Sequence, residues 1–299
     1  MRPSDPGSDG PPPDDGGLTP VAARRVVEDL ERSGLGPSDW RAVVNLRVVL
    51  LAAAAHEGDE GTFEREFGAL DHVRACCRRE GWCTGSERRE AWFRVRAQLR
   101  DGCIVLVRRG RHPSIRLLVR ALQSALDDGA GTREAPILLE AAARQAVLAG
   151  SARRARRILR LLERDLASAG SVIGSSAEGI DQCIEATAAL AARFGPEARR
   201  AALVTSLCGA WLASESASRA VEAVDPVLRA TPGDSGAERD ARALAQAVAA
   251  YAWHLLGDER ESLRLSASAR AALRGGARRR LKRVPVCARS LLWIDAVGG

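Results

Sequence analysis

Val204-Thr205-Ser206-Leu207-Cys208-Gly209-Ala210-Trp211 opens the stretch whose reading decides the fold, and Ala220, Val224, Val227 and Pro232 close it. Starting from Val204, the marked residues Leu207, Cys208, Trp211, Ala220, Val224, Val227 and Pro232 follow at gaps of three, one, three, nine, four, three and five. Gaps of three and four place side chains on one face of an α-helix. The same rhythm runs upstream through Trp92, Val95, Leu99, Cys103 and Leu106. It also runs through Ile115, Leu118, Val119 and Leu122.

Composition agrees with a helical chain. Apolar residues make up 46% of the 299, but aromatics only 4%, and there is one Tyr. Ala, Leu, Arg and Glu dominate, all strong helix formers, whereas strands favour β-branched and aromatic residues. No sustained alternation of apolar and polar residues occurs, so the expected class is all-α. The net charge of +7 has one address: seven basic residues and no acid between Arg274 and Arg289, which leaves the rest of the chain neutral.

The spacing from Val204 to Pro232 matches W-x2-L-G-x2-Y, then A, F, A and P at the offsets of a tetratricopeptide repeat. The segment resembles that family, with Val204 where the family has Trp and Cys208 where it has Gly. The resemblance implies an α-α superhelix of helical hairpins, each burying its apolar side by stacking on its neighbours. Pro226 falls inside the second helix so implied and is expected to kink or shorten it. Turns at Gly110 and Gly150, and at Glu215 and Gly257, are each about forty residues apart, against thirty-four in the family. Five, nine and twelve residues beyond Gly110, Gly150 and Gly257, small or aliphatic residues face the preceding helix: Ile115, Val119, Leu122; Ala155, Leu159, Leu162; Ser262, Ser266, Ala269. Glu215 stands where the other turns have glycine.

The chain divides into a disordered tail at 1–17, rich in Pro, Gly and Asp, N-terminal helical hairpins at 18–131 and tetratricopeptide-like repeats at 132–276. A basic capping segment follows at 277–299, whose apolar end from Val284 to Val297 is able to dock back as a last helix. Helices are expected to start at Thr19 (with Pro20 in first position), Ser38, Thr62 and Ser86. No secretion signal is read, and the run Ala42 to Ala55, interrupted by Asn45 and Arg47, is too short to span a bilayer. Seven scattered cysteines fit reduced thiols and a cytoplasmic protein.

Motifs of catalysis are not found: no G-x-S-x-G, G-x4-G-K-[ST] or H-E-x-x-H. His72, Cys76, Cys77 and Cys83 form the densest ligand-like cluster, but Cys77 adjoins Cys76 and points elsewhere, so buried thiols are the simpler account. Glu57/Asp59 and Asp258/Glu259 sit at helix ends, where carboxylates complement the backbone dipole. Trp211 and Trp253 read as core; Trp82, in a Gly-Trp-Cys-Thr-Gly turn, reads as an exposed contact residue.

No catalytic role, cofactor, metal or small-molecule substrate is assigned. The resemblance implies a scaffold or regulatory adaptor that receives a peptide or helix of another protein on its repeat surface. Arg153, Arg157, Arg160 and Arg200 are expected to line that groove, which would suit an acidic partner. An alternative is nucleic-acid binding through Arg278, Arg279, Arg280, Lys282 and Arg283.

Overall fold

Five turns built the same way fold the chain back on itself. Gly58, Gly110, Gly150, Glu215 and Gly257 each adopt a left-handed φ between +60° and +83°. At each, the amide of the following residue bonds back five residues: Asp59 to Ala54, Arg111 to Leu106, Ser151 to Ala146, Ser216 to Trp211 and Asp258 to Trp253. This hydrogen-bonded stop satisfies the last carbonyls of one helix and reverses the chain into the next.

The structure is a computed structural model, and it describes residues 19–128, 134–168, 171–173, 177–195, 197–213, 215–230, 235–273 and 285–297. Among the described residues all regular structure is helical. The elements are α1 (Pro20–Arg32), α2 (Trp40–Glu57), α3 (Glu60–Arg79), α4 (Gly85–Arg108), α5 (Ile115–Asp128), α6 (Ala135–Leu148), α7 (Ala152–Leu166), α8 (Ala177–Phe194), α9 (Glu197–Ala213), α10 (Ala217–Arg229), α11 (Gly236–Leu255), α12 (Glu259–Ala272) and α13 (Pro285–Ala296). Pro232 and the basic residues Arg278, Arg279, Arg280, Lys282 and Arg283 lie outside the described residues, as does the tail at 1–17.

The facing positions expected from sequence are buried, or half-buried at Ile115, on α5, α7 and α12. The same offsets hold from two further turns. From Gly58 they reach Phe63, Phe67 and Leu70, all buried; from Glu215 they reach Ala220 and Val224, both buried, and the half-buried Val227. Thus α2/α3, α4/α5, α6/α7, α9/α10 and α11/α12 are five hairpins of one register. Close approach is part of the design: the Phe63 ring fills the space where a Cβ on Gly102 would stand. In the last hairpin Ser262 donates its hydroxyl to the Ala250 carbonyl at 2.7 Å, so a polar side chain fits a helix-helix seam.

First helices touch in a row, α2 on α4, α4 on α6, then α8 as an added helix between α6 and α9, then α11 and α13. One apolar core runs along this row from Trp40 to Ile294. α1 adds a small separate cluster of Ala23 and Val27 on Leu50. α13 does dock back, on α9, α11 and α12, with Cys287, Leu291 and Ile294 buried. Pro226 lies inside α10, in its last turn, and the helix runs on past it to Arg229.

Some helix starts differ from expectation. Thr19 caps α1 as read, accepting from the Ala22 amide, but Asp39, Asp59 and Thr84 stand at the cap positions assigned to Ser38, Thr62 and Ser86. Asp59 accepts from the amide and the hydroxyl of Thr62, while Thr84 and Glu87 bond reciprocally in a capping box. At Asp59 and Thr84 the residue whose oxygen reaches the amide three positions on takes the cap, whereas Asp39 makes no side-chain cap bond and its carboxylate accepts from the Gly36 amide and the Ser38 hydroxyl.

Candidate functional site

A cleft opens where α3, α4, α5 and α7 come together, with a volume of about 280 Å³. Its floor is apolar: Phe67 and Leu70 from α3, Trp92, Val95 and Leu99 from α4. These residues belong to the faces that build the core, so the floor follows from the same helical periodicity that builds the hairpins. The rim is charged. Asp71 and Arg74 come from α3, Arg96 from α4, Arg120 and Asp127 from α5, and Arg157 from α7.

Two guanidiniums stack on the floor. Arg74 lies over the Trp92 ring at 5.4 Å from its centroid and Arg120 over Phe67 at 5.3 Å. Such cation–π contacts hold a charge at an apolar wall at little cost. The acids of the rim are already engaged: Asp71 takes Arg116 at 2.7 Å and Arg120, and Asp127 takes Arg164 at 2.6 Å. Arg157 donates to the neutral amide oxygen of Gln123 at 2.9 Å. Burial, then the charge of Arg78, pushes the Arg74 pKa below the ordinary arginine value; Asp71 opposes this, and Arg120 and Arg96 add to it. Two buried donors of this wall, Arg74 Nε and Trp92 Nε1, have no hydrogen-bond partner. The cleft is therefore a cationic site over an aromatic floor, suited to an anion with an apolar part.

Of the residues expected from sequence, Arg157 lines this cleft. Arg153 and Arg160 are exposed on α7 and do not line it, and Arg200 is half-buried on α9. Trp82 is half-buried and packs against the main core rather than standing free in its turn. Arg74, Trp92, Arg96 and Arg120 escaped the sequence reading. Their one signal was that arginines recur at four-residue spacing beside apolar stripes, as in Trp92/Arg96 and Arg116/Arg120.

Other candidates take structural places. Asp258 caps α12, its carboxylate accepting from the Glu261 amide at 3.0 Å. Cys76 Sγ lies 3.6 Å from His72 Nε2. Burial, then the neighbouring Cys83, raises the Cys77 thiol to about 12, so it stays protonated at neutral pH. Among the described residues no group of three or more His, Cys, Asp or Glu is placed to hold a metal ion. His254 and Tyr251 of α11 both lie against Trp293 of α13, at 4.9 Å and 6.3 Å between ring centroids. A second cleft, of about 230 Å³, lies beside the Gly110 turn and α6 and is lined by Arg111, His112, Glu140 and Arg144. No described helix is long and apolar enough to cross a membrane.

Compared with family models, with curated proteins and with solved structures, the chain has no significant match to any of them.

Proposed function

We propose that this chain is a non-catalytic interaction module, a scaffold or regulatory adaptor, whose arginine cleft receives an acidic segment of another protein. Its helix pairs would stack as a tetratricopeptide-like superhelix, a reading supported by five hairpins of one register along a continuous core. The observation that carries the functional reading is the cleft itself: Arg74, Arg96 and Arg157, from three helices, ring an aromatic and aliphatic floor. A short helix presenting carboxylates beside apolar side chains complements both parts.

A displayed library of short helical peptides, selected on the full chain, tests this. Acidic residues spaced with apolar ones should be enriched, and binding should weaken as salt is raised. The Arg96→Glu/Arg157→Glu variant should lose the enrichment and select basic peptides instead. Failure to enrich any sequence, or enrichment indifferent to this reversal, would remove the proposal. The nucleic-acid alternative rests on Arg278 to Arg283, outside the described residues.

A further inference from the structure

The cleft holds more positive charge than its own acids satisfy. Asp71 and Asp127 are committed to Arg116, Arg120 and Arg164. Arg74, Arg96 and Arg157 have no carboxylate within ion-pairing reach among the described residues. A single carboxylate brings one charge and two oxygens to these three guanidiniums. A phosphoryl group brings close to two charges and three strong acceptor oxygens. Trp92 is only 6% exposed, yet its Nε1 donor is unpaired, as is Arg74 Nε on the guanidinium stacked upon it. A buried donor left without an acceptor costs more than a satisfied one gains, so this wall favours an acceptor brought close to it.

We propose that the cleft binds a phosphoryl dianion, held by Arg74, Arg96 and Arg157, with any organic part of the ligand against Trp92 and Phe67. This rests on reading the cleft as the partner-binding site and specifies what the partner presents there: a phosphorylated side chain, with free phosphate or a small ester as the rival source of the same group.

The test uses the full chain labelled with 15N, following the indole N–H signal of Trp92, assigned by its loss in Trp92→Phe. Phenyl phosphate, phenylacetate and inorganic phosphate are titrated separately at constant ionic strength. Phenyl phosphate should give a saturable shift with affinity about tenfold or more above that of phenylacetate. Arg96→Gln/Arg157→Gln, two exposed positions whose change leaves the core intact, should weaken it by about tenfold or more, while Arg153→Gln on the same helix leaves it unchanged. Tighter binding of phenyl phosphate than of inorganic phosphate names an ester, and equal binding names free phosphate. Equal affinity for phenylacetate and phenyl phosphate overturns this inference and leaves the acidic-segment reading standing. No shift with any of the three overturns both.

Discussion

Arg47 shows what one charged residue does inside an otherwise apolar helix. Its side chain is about nine-tenths buried, reaching Glu66 on α3 at 2.6 Å and Glu31 on α1, and so ties three helices together. Burying these charges costs desolvation that the pairing offsets, so the triad specifies docking more than it adds stability. Arg47→Met leaves the Glu66 carboxylate uncompensated and should cost about 3 kcal/mol in denaturant unfolding. Arg47→Met/Glu66→Met removes both charges and should recover most of that loss. If the double variant is as unstable as the single one, the pair is not what holds Glu66. In sequence, Arg47 reads only as the interruption that bars a membrane span; its partners lie 16 and 19 residues away on other helices.

At the scale of the element, the shared turn is the unit that repeats. Four of the five turn residues are glycines, for which a left-handed φ is free, but Glu215 carries a side chain at φ +66°. A Cβ in that region costs about 1–2 kcal/mol, partly offset by the greater freedom of an unfolded glycine. Glu215→Gly should therefore raise stability by about 1 kcal/mol, read as a higher denaturation midpoint with an unchanged slope. No gain would mean that the α9–α10 turn is built differently in solution. These turns were legible because they are local: a glycine, then buried residues five, nine and twelve positions on. Helix caps were less so, since Ser38 and Asp39, or Thr84 and Ser86, offer equivalent oxygens within a residue or two. Of the cleft, sequence pointed to Arg157 alone. Phe67 and Arg157 are ninety positions apart, and each arginine, seen alone, is an ordinary solvated residue.

Across the whole molecule, helices mostly touch those one or two places away, but α13 breaks the rule by packing on α9. The two ends are therefore held differently. α1 meets the rest through a small cluster and the Glu31–Arg47 contact, whereas α13 inserts Cys287, Leu291 and Ile294 against three helices. Deleting residues after Leu273 should cost about 4–5 kcal/mol, at roughly 1.5–3 kcal/mol for each large aliphatic side chain uncovered, and bring aggregation. Deleting residues 1–35 should cost less. Urea unfolding of the two truncated chains compares them directly, and equal losses would show that α13 is not a closing element.

Mechanical load would meet this asymmetry. Drawn out from the N-terminal side, the chain should give up α1, held by its small cluster, before the main core is touched. Tugged from the other end it resists until α13 tears free of its three supports together.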